Sequence, residues 1–441
     1  MTTKPKIIVL DDDPTGSQTV HGCLLLMQWD VDTLRLGLKD NSPIFFVLTN
    51  TRALTPEKAA SITKEVCHNL KLALEAEKIR DFLVVSRSDS TLRGHYPVET
   101  DVIAEELGPF DAHFLVPAFF EGGRITRDSI HYLMMQGVPV AVHETEFARD
   151  SVFGYNDSYL PKYVEEKTQG RIAADNVERF LLDDIRGGSL ERLMKLQGNQ
   201  CGVVDGETQT DLNKFAEDVL TAASRGKRFL FRSAASILTA LAALPPQPIS
   251  PENMAEYVIT GKPGAIIVGS HVKKTTQQLE VLLQEKGIVG IEVDVAQLLD
   301  KGNQSATLLT DILKNVLDAH NAGNTPVVYT SREELTFENV NQRLQFGAKV
   351  SNLLMDVVRG LPSDIGFLIS KGGITSNDVL SNGLALNTAR LLGQILAGVS
   401  MVSTPKNHPQ FPNLPVVLFP GNVGDADAVS TVYQRLSKNL K

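Results

Sequence analysis

The chain has 441 residues, more than a single hydrophobic core usually organises, so its length favours two domains. Its 42% hydrophobic and 22% charged residues are typical of a globular protein, and no apolar run approaches the ~20 residues that a membrane-spanning helix needs. A formal net charge of -9 argues against a nucleic-acid-binding protein, which usually carries a basic face. Any anionic ligand is then expected to be bound by locally placed cationic side chains and backbone amides.

The start of the chain and its cysteines indicate a cytoplasmic location. The segment MTTKPKIIVLDDD lacks the pattern of a signal peptide, because its apolar run is short and ends in acid. Cys23, Cys67 and Cys201 lie far apart and form no C-x-x-C pair. This spacing favours a reducing compartment over a disulfide framework or a cysteine zinc site.

The first half of the chain alternates short apolar runs with longer amphipathic segments. The clearest helical pattern covers residues 56–79, where apolar residues recur every three or four positions. Strands that alternate with helices predict βαβ units and a mostly parallel sheet with helices on its faces. The predicted strands are KIIVLD, PIFFVLTN, DFLVVSRSD, HFLVPAFF, GVVDGE and RFLFRSA.

A proline-rich segment, LAALPPQPISPENM, divides the chain, because its prolines can continue neither a helix nor a central strand. The sequence therefore predicts domains at residues 1–246 and 260–441. Beyond the linker the alternation resumes, with a long helical segment at residues 338–360. The predicted strands there are AIIVGS, GIVGIEVDV, TPVVYTS, DIGFLIS and PVVLFPG. The predicted fold class is α/β, with two domains that are each a mostly parallel sheet with helices on its faces.

Ligands of open α/β sheets bind beyond the carboxyl ends of the strands, so the residues that follow each strand are of interest. The first predicted strand ends in three consecutive carboxylates, Asp11, Asp12 and Asp13. Like charges placed side by side repel one another. These residues are either a solvated turn or a cluster that holds a metal, a nucleophile or a catalytic base.

Two arginine-bearing segments follow later strands of the first domain. In SRSDSTLRGH, two arginines surround an acid, and such a set can bind a substrate carboxylate while the acid accepts hydroxyl groups. The residues concerned are Arg87, Asp89, Ser90, Thr91 and Arg93. The alternative is a surface ion pair of small energy. EGGRITRD adds Arg124 and Arg127 on a second loop, which favours an anion-binding pocket.

Three strand ends of the second domain carry glycine: VGSHVKKTT, SKGGITSND and PGNVGDAD. Ser270 precedes a helix whose N-terminus suits phosphate, although helix capping by Ser270 or Thr275 is an equal alternative. Gly372 and Gly373 permit close approach of the backbone to a ligand, and Lys371 adds a cation.

Thr375 in the second of these loops can cap a helix or contact a phosphate. Gly421, Asn422 and Gly424 form the third strand end. Three such loops favour a nucleotide site, although neither G-x-x-x-x-G-K-[ST] nor G-x-G-x-x-G occurs anywhere in the chain.

The first acidic motif also has an alternative interpretation, which belongs to a different functional class. Read as D-x-D-x-T, residues Asp11, Asp13 and Thr15 resemble the first motif of haloacid-dehalogenase-type phosphatases, in which the first Asp attacks phosphorus and the second acts as acid and base. The acidic metal motif of such an enzyme would then fall at GDAD, beyond the proline linker. The glycine-bearing loops would have no purpose in that enzyme.

Taken in order along nearly the whole chain, these motifs resemble those of the four-carbon acid sugar kinase family, which includes 3-oxo-tetronate, threonate and erythronate kinases. The motifs are DDDPTG, SDSTLRGH, VPAFFEGGRITRD, TEFARDSVFGY, VGSHVKKTT, SKGGITSND and PGNVGD. The resemblance implies an N-terminal domain that binds the sugar acid, a C-terminal domain that binds ATP, and phosphoryl transfer in the cleft between them.

By position, the resemblance places the ATP contacts on Ser270, on residues 372–375 and on Gly421. An acidic residue is common in the family where Ile374 stands here, so any metal role at that position is lost. Arg87 and Ser88 stand where Lys-Thr often occurs, and Pro420 and Val423 alter the last loop.

The function expected from the resemblance is phosphoryl transfer from ATP to a hydroxyl of a short sugar acid. Asp12 is marginally favoured over Asp11 and Asp13 as the base, Arg87 and Arg93 are the candidates for the substrate carboxylate, and Asp89 is the candidate for its hydroxyls. Mg²⁺ is expected to arrive with ATP and not to have a protein cage of its own. The expected partners are small molecules, without nucleic acid or membrane, and a homodimer is compatible with the chain.

Overall fold

The apolar runs of both halves of the chain form parallel strands. The computed structural model describes residues 4–299, 304–332, 335, 337 and 340–438. The chain divides into two compact units, Met1–Pro246 and Gln247–Lys441. None of the helices within the described residues has both the length and the apolar composition to cross a membrane.

In the N-terminal unit, one sheet has the strand order β2-β3-β1-β4-β11-β5-β10-β9, and every neighbouring pair is parallel. A second sheet, β6-β7-β8, is antiparallel. The strands are β1 (Lys6–Asp11), β2 (Leu24–Leu26), β3 (Ile44–Leu48), β4 (Phe82–Arg87), β5 (Ala112–Val116), β6 (Arg124–Arg127), β7 (Ile130–Met135), β8 (Val138–Ala141), β9 (Glu178–Phe180), β10 (Gln200–Val204) and β11 (Phe229–Ser233).

Helices cover both faces of the parallel sheet in this unit. The helix predicted at residues 56–79 is confirmed with bounds Pro56–Glu77, and it begins where the Thr55 hydroxyl caps the amide of Lys58. The helices are α1 (Val31–Lys39), α2 (Pro56–Glu77), α3 (Val98–Leu107), α4 (Leu160–Lys167), α5 (Leu182–Gly187), α6 (Leu190–Lys195), α7 (Gln209–Ser224) and α8 (Ser236–Ala242).

In the C-terminal unit, the sheet has the order β13-β14-β12-β15-β18-β17-β16. The first five strands of this order, from β13 through β14, β12 and β15 to β18, are parallel to one another. Strand β17 runs antiparallel to both of its neighbours, β18 and β16. The strands are β12 (Ala265–Val268), β13 (Ile288–Val293), β14 (Thr325–Thr330), β15 (Leu368–Lys371), β16 (Thr388–Leu396), β17 (Val399–Ser403) and β18 (Pro415–Phe419). The helices are α9 (Lys273–Leu282), α10 (Gln304–Asn321), α11 (Val340–Arg359), α12 (Gly373–Asp378) and α13 (Ala428–Ser437).

The predicted α/β fold class is confirmed, because both units are built on mostly parallel sheets. The helix expected at residues 338–360 spans Val340–Arg359, and its first two expected residues lie outside the described part of the chain. One expectation was wrong. Arg124 and Arg127, which the sequence placed on a loop, begin and end strand β6. This strand turns into β7 through Asp128 and Ser129, both at positive φ, and such a two-residue turn lacks the usual Asn-Gly signal.

An aromatic cluster forms part of the core of the N-terminal unit. The ring of Phe114 on β5 contacts four other rings, with centroid distances between 5.4 and 5.7 Å. These rings belong to Phe180, Phe215, Phe229 and Phe231, and all are fully buried. The cluster therefore joins three strands to helix α7 on one face of the sheet.

We predict that Phe114→Ala lowers the free energy of unfolding of this unit by about 3–5 kcal/mol, because it removes a buried ring from a packed cluster and leaves a cavity. Denaturant titration followed by far-UV circular dichroism measures the change. Leu72→Ala, at an exposed position of α2, is the control and should cost less than about 1 kcal/mol. Equal losses in the two variants would show that the cluster does not stabilise the unit.

Candidate active site

The three consecutive aspartates lie at the carboxyl end of the central strand β1. Asp11, the last residue of β1, stands in register with Leu48 on β3 and with Arg87 on β4. Chain segments that leave three adjacent parallel strands therefore meet at this edge. The side chains of Asp11, Asp12 and Asp13 are 0%, 1% and 22% exposed, so their environments differ.

Asp11 is buried beneath the backbone of the turn that follows it. A Cβ at Gly16 would lie 2.0 Å from Asp11 Oδ1, so only glycine fits at that position. The nearest cation is Arg87, whose Nη1 is 3.8 Å from Oδ1, and Asp11 Oδ2 accepts no hydrogen bond within the described part of the chain. Burial raises the pKa of Asp11 to about 8, against the opposing charge of Arg87.

Asp12 is held by a guanidinium and a hydroxyl. Arg52 Nη2 donates to Oδ1, Arg52 Nε donates to Oδ2 over 3.2 Å, and Ser88 Oγ donates to Oδ2 over 2.7 Å. This bidentate arrangement compensates the charge of a carboxylate that has almost no contact with solvent. Arg52 lies just after β3 and Ser88 just after β4.

Asp13 is the most accessible of the three carboxylates. Its Oδ1 accepts hydrogen bonds from the amide and the hydroxyl of Thr15, and its Oδ2 is 3.5 Å from Arg52 Nη1. Burial alone would raise the pKa of Asp13, but Arg52 and the two bonds from Thr15 outweigh it, so the pKa is below its usual value. Asp13 is therefore ionised at neutral pH.

A buried polar network extends from Asp12 into the unit. Arg232 Nη2 donates to Ser88 Oγ over 2.7 Å, and Arg232 Nη1 donates to Glu99 Oε2 over 2.6 Å. The Thr51 hydroxyl donates to the other oxygen of Glu99 over 2.5 Å. The backbone of Gly94 packs directly against this network, and a Cβ at this position would lie only 2.3 Å from Ser88 Oγ. The network therefore holds the hydroxyl of Ser88 in position, and this hydroxyl in turn orients the carboxylate of Asp12.

The loop after β4 is ordered by its own side chains. Asp89 Oδ2 accepts from the hydroxyl and amide of Thr91 and, over 2.8 Å, from Arg93 Nε. Burial acts to raise the pKa of Asp89, yet Arg93 and Arg52 hold it well below its usual value. Arg93 also stacks on Phe147, with the guanidinium carbon 4.9 Å from the ring centroid.

The remaining predicted residues of this region have different surroundings. The carbonyl oxygen of Ser90 lies 2.8 Å from His131 Nε2. Arg124 Nη1 donates to the carbonyl of Gly122, and its buried Nε has no partner among the described residues. Burial lowers the pKa of Arg124, while the nearby charge of Asp89 acts to raise it. Arg124 thus lies within electrostatic reach of the loop after β4.

In the C-terminal unit, the first two glycine-bearing loops line one cavity of about 410 Å³. Its volume is within the range of small-molecule sites. The polar part of the wall includes residues Ser270, Gly372, Gly373, Thr375 and Asp378. Much of the remaining wall is apolar and includes Val272, Val295, Phe346, Val350, Leu354 and Met355. The cavity therefore offers both polar groups and apolar surface to a ligand.

Close packing of the loops explains their glycines. A Cβ at Gly269 would lie 2.3 Å from Thr375 Oγ1, and Gly372 has a φ of 120° that side chains rarely adopt. Ile374 is 69% exposed at the cavity wall. Helix α9 begins at Lys273 without a side-chain cap, so capping by Ser270 or Thr275, the alternative considered for this loop, does not occur.

The third glycine-bearing loop lies beside Ser270. A Cβ on Gly421 would be 3.6 Å from Ser270 Oγ, and Thr275 Oγ1 is within hydrogen-bond distance of both Ser270 Oγ and the carbonyl of Gly421. Asn422 follows and is exposed. Lys371, expected to offer a cation to the ligand, is instead 1% exposed and donates to the carbonyls of Pro420 and Gly421.

Comparison with known protein families matches each of the two units to a family domain. Residues 7–241 match the model of a sugar-binding N-terminal domain, and residues 265–429 match the model of a nucleotide-binding C-terminal domain. The chain belongs to the four-carbon acid sugar kinase family. The resemblance identified from the sequence motifs is therefore confirmed.

Individual relatives of this family member are distant in sequence. D-erythronate kinase of Heliobacterium modesticaldum is 26% identical over 309 residues, which cover 67% of this chain. The match covers 64% of that enzyme, less than two thirds of its own length.

Two solved structures share the fold. A Salmonella typhimurium LT2 protein, provisionally called a tRNA synthase, has a TM-score of 0.73 at 19% identity, with all of both chains covered. A Haemophilus influenzae protein of the family DUF1537 has a TM-score of 0.64 at 17% identity, with 97% of this chain and 100% of that chain covered.

Several residues of this family member's site were not identified from the sequence. Arg52 contacts Asp12 directly, Arg232 contacts it through Ser88, and Glu99 holds Arg232, although these residues lie in distant parts of the chain. The only sequence signal for Arg52 and Arg232 is their position at or just beyond a strand end, in TNTR and RFLFRSA. Glu99 lies on α3 and carries no such signal.

We predict a pH-dependent effect of Asp11→Asn on stability. Because the pKa of Asp11 is raised to about 8 in the folded protein, against about 4 in an unfolded chain, folding retains a proton between these values. The stability that protonated Asp11 contributes is complete below about pH 4 and is lost as the pH rises through about 8. The uncharged Asn does not titrate.

The free energy of unfolding of Asp11→Asn, minus that of the unaltered protein, should therefore increase from pH 5 to pH 8. Chemical denaturation at several pH values measures the difference. The matched control is Asp32→Asn, which removes a carboxylate whose side chain is 89% exposed and should give a flat difference. A flat difference for Asp11→Asn would contradict the raised pKa.

Proposed function

We propose that this protein is an ATP-dependent kinase that phosphorylates a hydroxyl of a four-carbon sugar acid such as threonate, erythronate or a 3-oxo-tetronate. The observation that carries the proposal is that one chain matches both a sugar-binding and a nucleotide-binding family domain. The similarity to a D-erythronate kinase supports the substrate class. The polar strand ends of one unit and the glycine-lined cavity of the other supply suitable groups for these two ligands.

The proposed acceptor site uses the cations and hydroxyls beyond β4 and β5. Arg93 and Arg124 are assigned to the carboxylate of the sugar acid, and Asp89, Ser90 and Thr91 to its hydroxyl groups. Arg87, whose guanidinium faces Asp11, is assigned to balance that buried carboxyl. Since arginine keeps its charge at all relevant pH values, such a site suits an anionic acceptor.

In the proposed reaction, a carboxylate of the aspartate cluster accepts the proton of the acceptor hydroxyl. The hydroxyl oxygen forms a bond to the γ-phosphorus of ATP, the bond from that phosphorus to the β,γ-bridging oxygen breaks, and ADP leaves. Asp12 is the proposed base, because Arg52 and Ser88 fix its orientation. Asp13 is the alternative, because it is more accessible to a ligand, and Asp11, covered by Gly16, is less suited.

ATP is proposed to bind with its base in the apolar part of the cavity and its phosphates toward the polar part formed by Ser270 and residues 372–375. Gly421 and Asn422 are assigned to the phosphates as well. Mg²⁺ would arrive with the nucleotide and neutralise phosphate charge, and Asp378, a carboxylate of the cavity wall, is proposed to contact it.

We predict that the purified protein consumes ATP only when a suitable four-carbon acid is present. A coupled assay for ADP across threonate, erythronate and 3-oxo-tetronates, each with and without ATP, measures this dependence. Asp12→Asn should lower kcat at least about 100-fold, the usual contribution of a general base. A larger loss in Asp13→Asn would assign the base to that residue.

Two results of this assay would contradict the proposal. One is absence of turnover across the panel together with absence of nucleotide binding by calorimetry. The other is release of phosphate from sugar phosphates without nucleotide, dependent on Asp11, which is the behaviour of a haloacid-dehalogenase-like phosphatase.

We also predict that Gly372→Ala raises the KM for ATP at least about tenfold, because the new Cβ meets Ser270 Cβ at 3.0 Å and the φ of 120° is unfavourable for alanine. Steady-state kinetics with varied ATP measure the effect. Gly323→Ala is the matched control, since Gly323 also has a positive φ but nothing lies within 4 Å of its Cβ position. Similar KM values in both variants would argue against a nucleotide contact at this loop.

A further inference from the structure

The loop at residues 420–425, which follows β18, has its carbonyl groups bound by two side chains from other elements. Lys371 Nζ, at the end of β15, donates to the carbonyls of Pro420 and Gly421, the latter over 3.2 Å. Gln278 Nε2, on α9, lies 3.0, 3.4 and 2.8 Å from the carbonyls of Val423, Gly424 and Asp425. Both side chains are buried. Five of the loop's carbonyls are thus directed toward the interior of this unit.

The direction of the carbonyls also fixes the direction of the amides. A trans peptide unit is planar, and its C=O and N–H point to opposite sides of the chain. The amides of Gly421, Asn422, Gly424 and Asp425 belong to four of the five peptide units just described, and all four units are trans. None of these amides donates a hydrogen bond to another residue in the described part of the chain.

We propose that Lys371 and Gln278 are positioning residues that hold the carbonyl side of this loop, so that its amides are presented together to the phosphates of the nucleotide. Successive amides that converge on one side of a loop form a concave anion-binding surface. The inference rests on the proposed function, since it assigns these amides to the nucleotide. It adds two residues that do not themselves contact the ligand.

The surroundings of Lys371 agree with this role. Its Nζ lies 4.3 Å from the ring centroid of Phe419, and no carboxylate in the described residues forms an ion pair with it. Burial, aided by the charge of Lys274, lowers the pKa of Lys371 to about 7. Either protonation state has the two N–H donors that the carbonyls of Pro420 and Gly421 require. The lysine therefore serves the backbone and not the phosphate.

The loop is also close to a residue that lines the nucleotide cavity. The carbonyl of Gly421, held by Lys371, lies 3.3 Å from Thr275 Oγ1, which lies 3.2 Å from Ser270 Oγ. Release of the loop would therefore disturb Ser270 as well. Both effects act on residues that are proposed to contact the phosphates.

The decisive variant is Gln278→Glu, which keeps the shape of the side chain but replaces the N–H donors with an oxygen that repels the three carbonyls. We expect the affinity for ATP to fall about tenfold or more, whereas the affinity for adenosine, which has no phosphate, should change less than about twofold. Calorimetry measures ATP binding, and saturation-transfer NMR measures adenosine binding. Thermal unfolding confirms that each protein is folded.

The matched control is Gln277→Glu, the same change at the adjacent, exposed position of α9. It should leave the affinity for ATP within about twofold of the unaltered protein, since long-range repulsion at an exposed site is screened by salt. If Gln278→Glu does not fold, Lys371→Met replaces it. That variant releases the carbonyls of Pro420 and Gly421 and should show the same selective loss of ATP affinity.

Two outcomes overturn the inference: an unchanged affinity for ATP in the folded variant, or an equal loss for ATP and adenosine. Either result is distinct from a failure of the proposed function, which would show as no binding of ATP to the unaltered protein.

Discussion

The N-terminal unit depends on the compensation of buried charge at the end of β1. Three carboxylates in sequence would repel one another, and burial of an unpaired carboxylate is costly. The fold compensates these negative charges with two arginines. Arg52 pairs with Asp12 and Asp13, and Arg87 lies near Asp11. Because Arg87 is the last residue of β4 and Arg52 lies just after β3, the parallel sheet itself creates the charge balance.

This charge compensation also gives the three aspartates different environments, although they look equivalent in the sequence. Burial without a close partner favours the neutral form of Asp11, whereas hydrogen bonds from Thr15 and the charge of Arg52 favour the ionised form of Asp13. Asp12, the residue between them in the sequence, is held in position by Arg52 and Ser88. Neighbouring carboxyl groups with different proton affinities are what an acid–base site requires, since only an ionised group can accept a proton.

The parallel strands and the position of the candidate site at their carboxyl ends could be predicted from sequence, because buried strands are continuous apolar runs and their ends carry polar residues. The first hairpin of the small antiparallel sheet could not, because its turn at Asp128 and Ser129 lacks glycine and its strands are only partly apolar. Partners such as Arg232 and Gln278 were also missed. Their contacts join residues more than 130 positions apart, which no local pattern records.

Under the proposed function, the two units bind anionic ligands with different groups, and the net charge of -9 requires these groups to be placed locally. The N-terminal unit uses guanidinium groups, but several of them are already engaged by carboxylates, so an acceptor would meet a cluster with little excess charge. In the C-terminal unit, Lys371 is turned inward to backbone carbonyls, so that in the proposed site main-chain amides would face the nucleotide. Amides attract phosphate through fixed dipoles and need no compensating carboxylate, so the proposed nucleotide would be bound without a further cluster of buried charge.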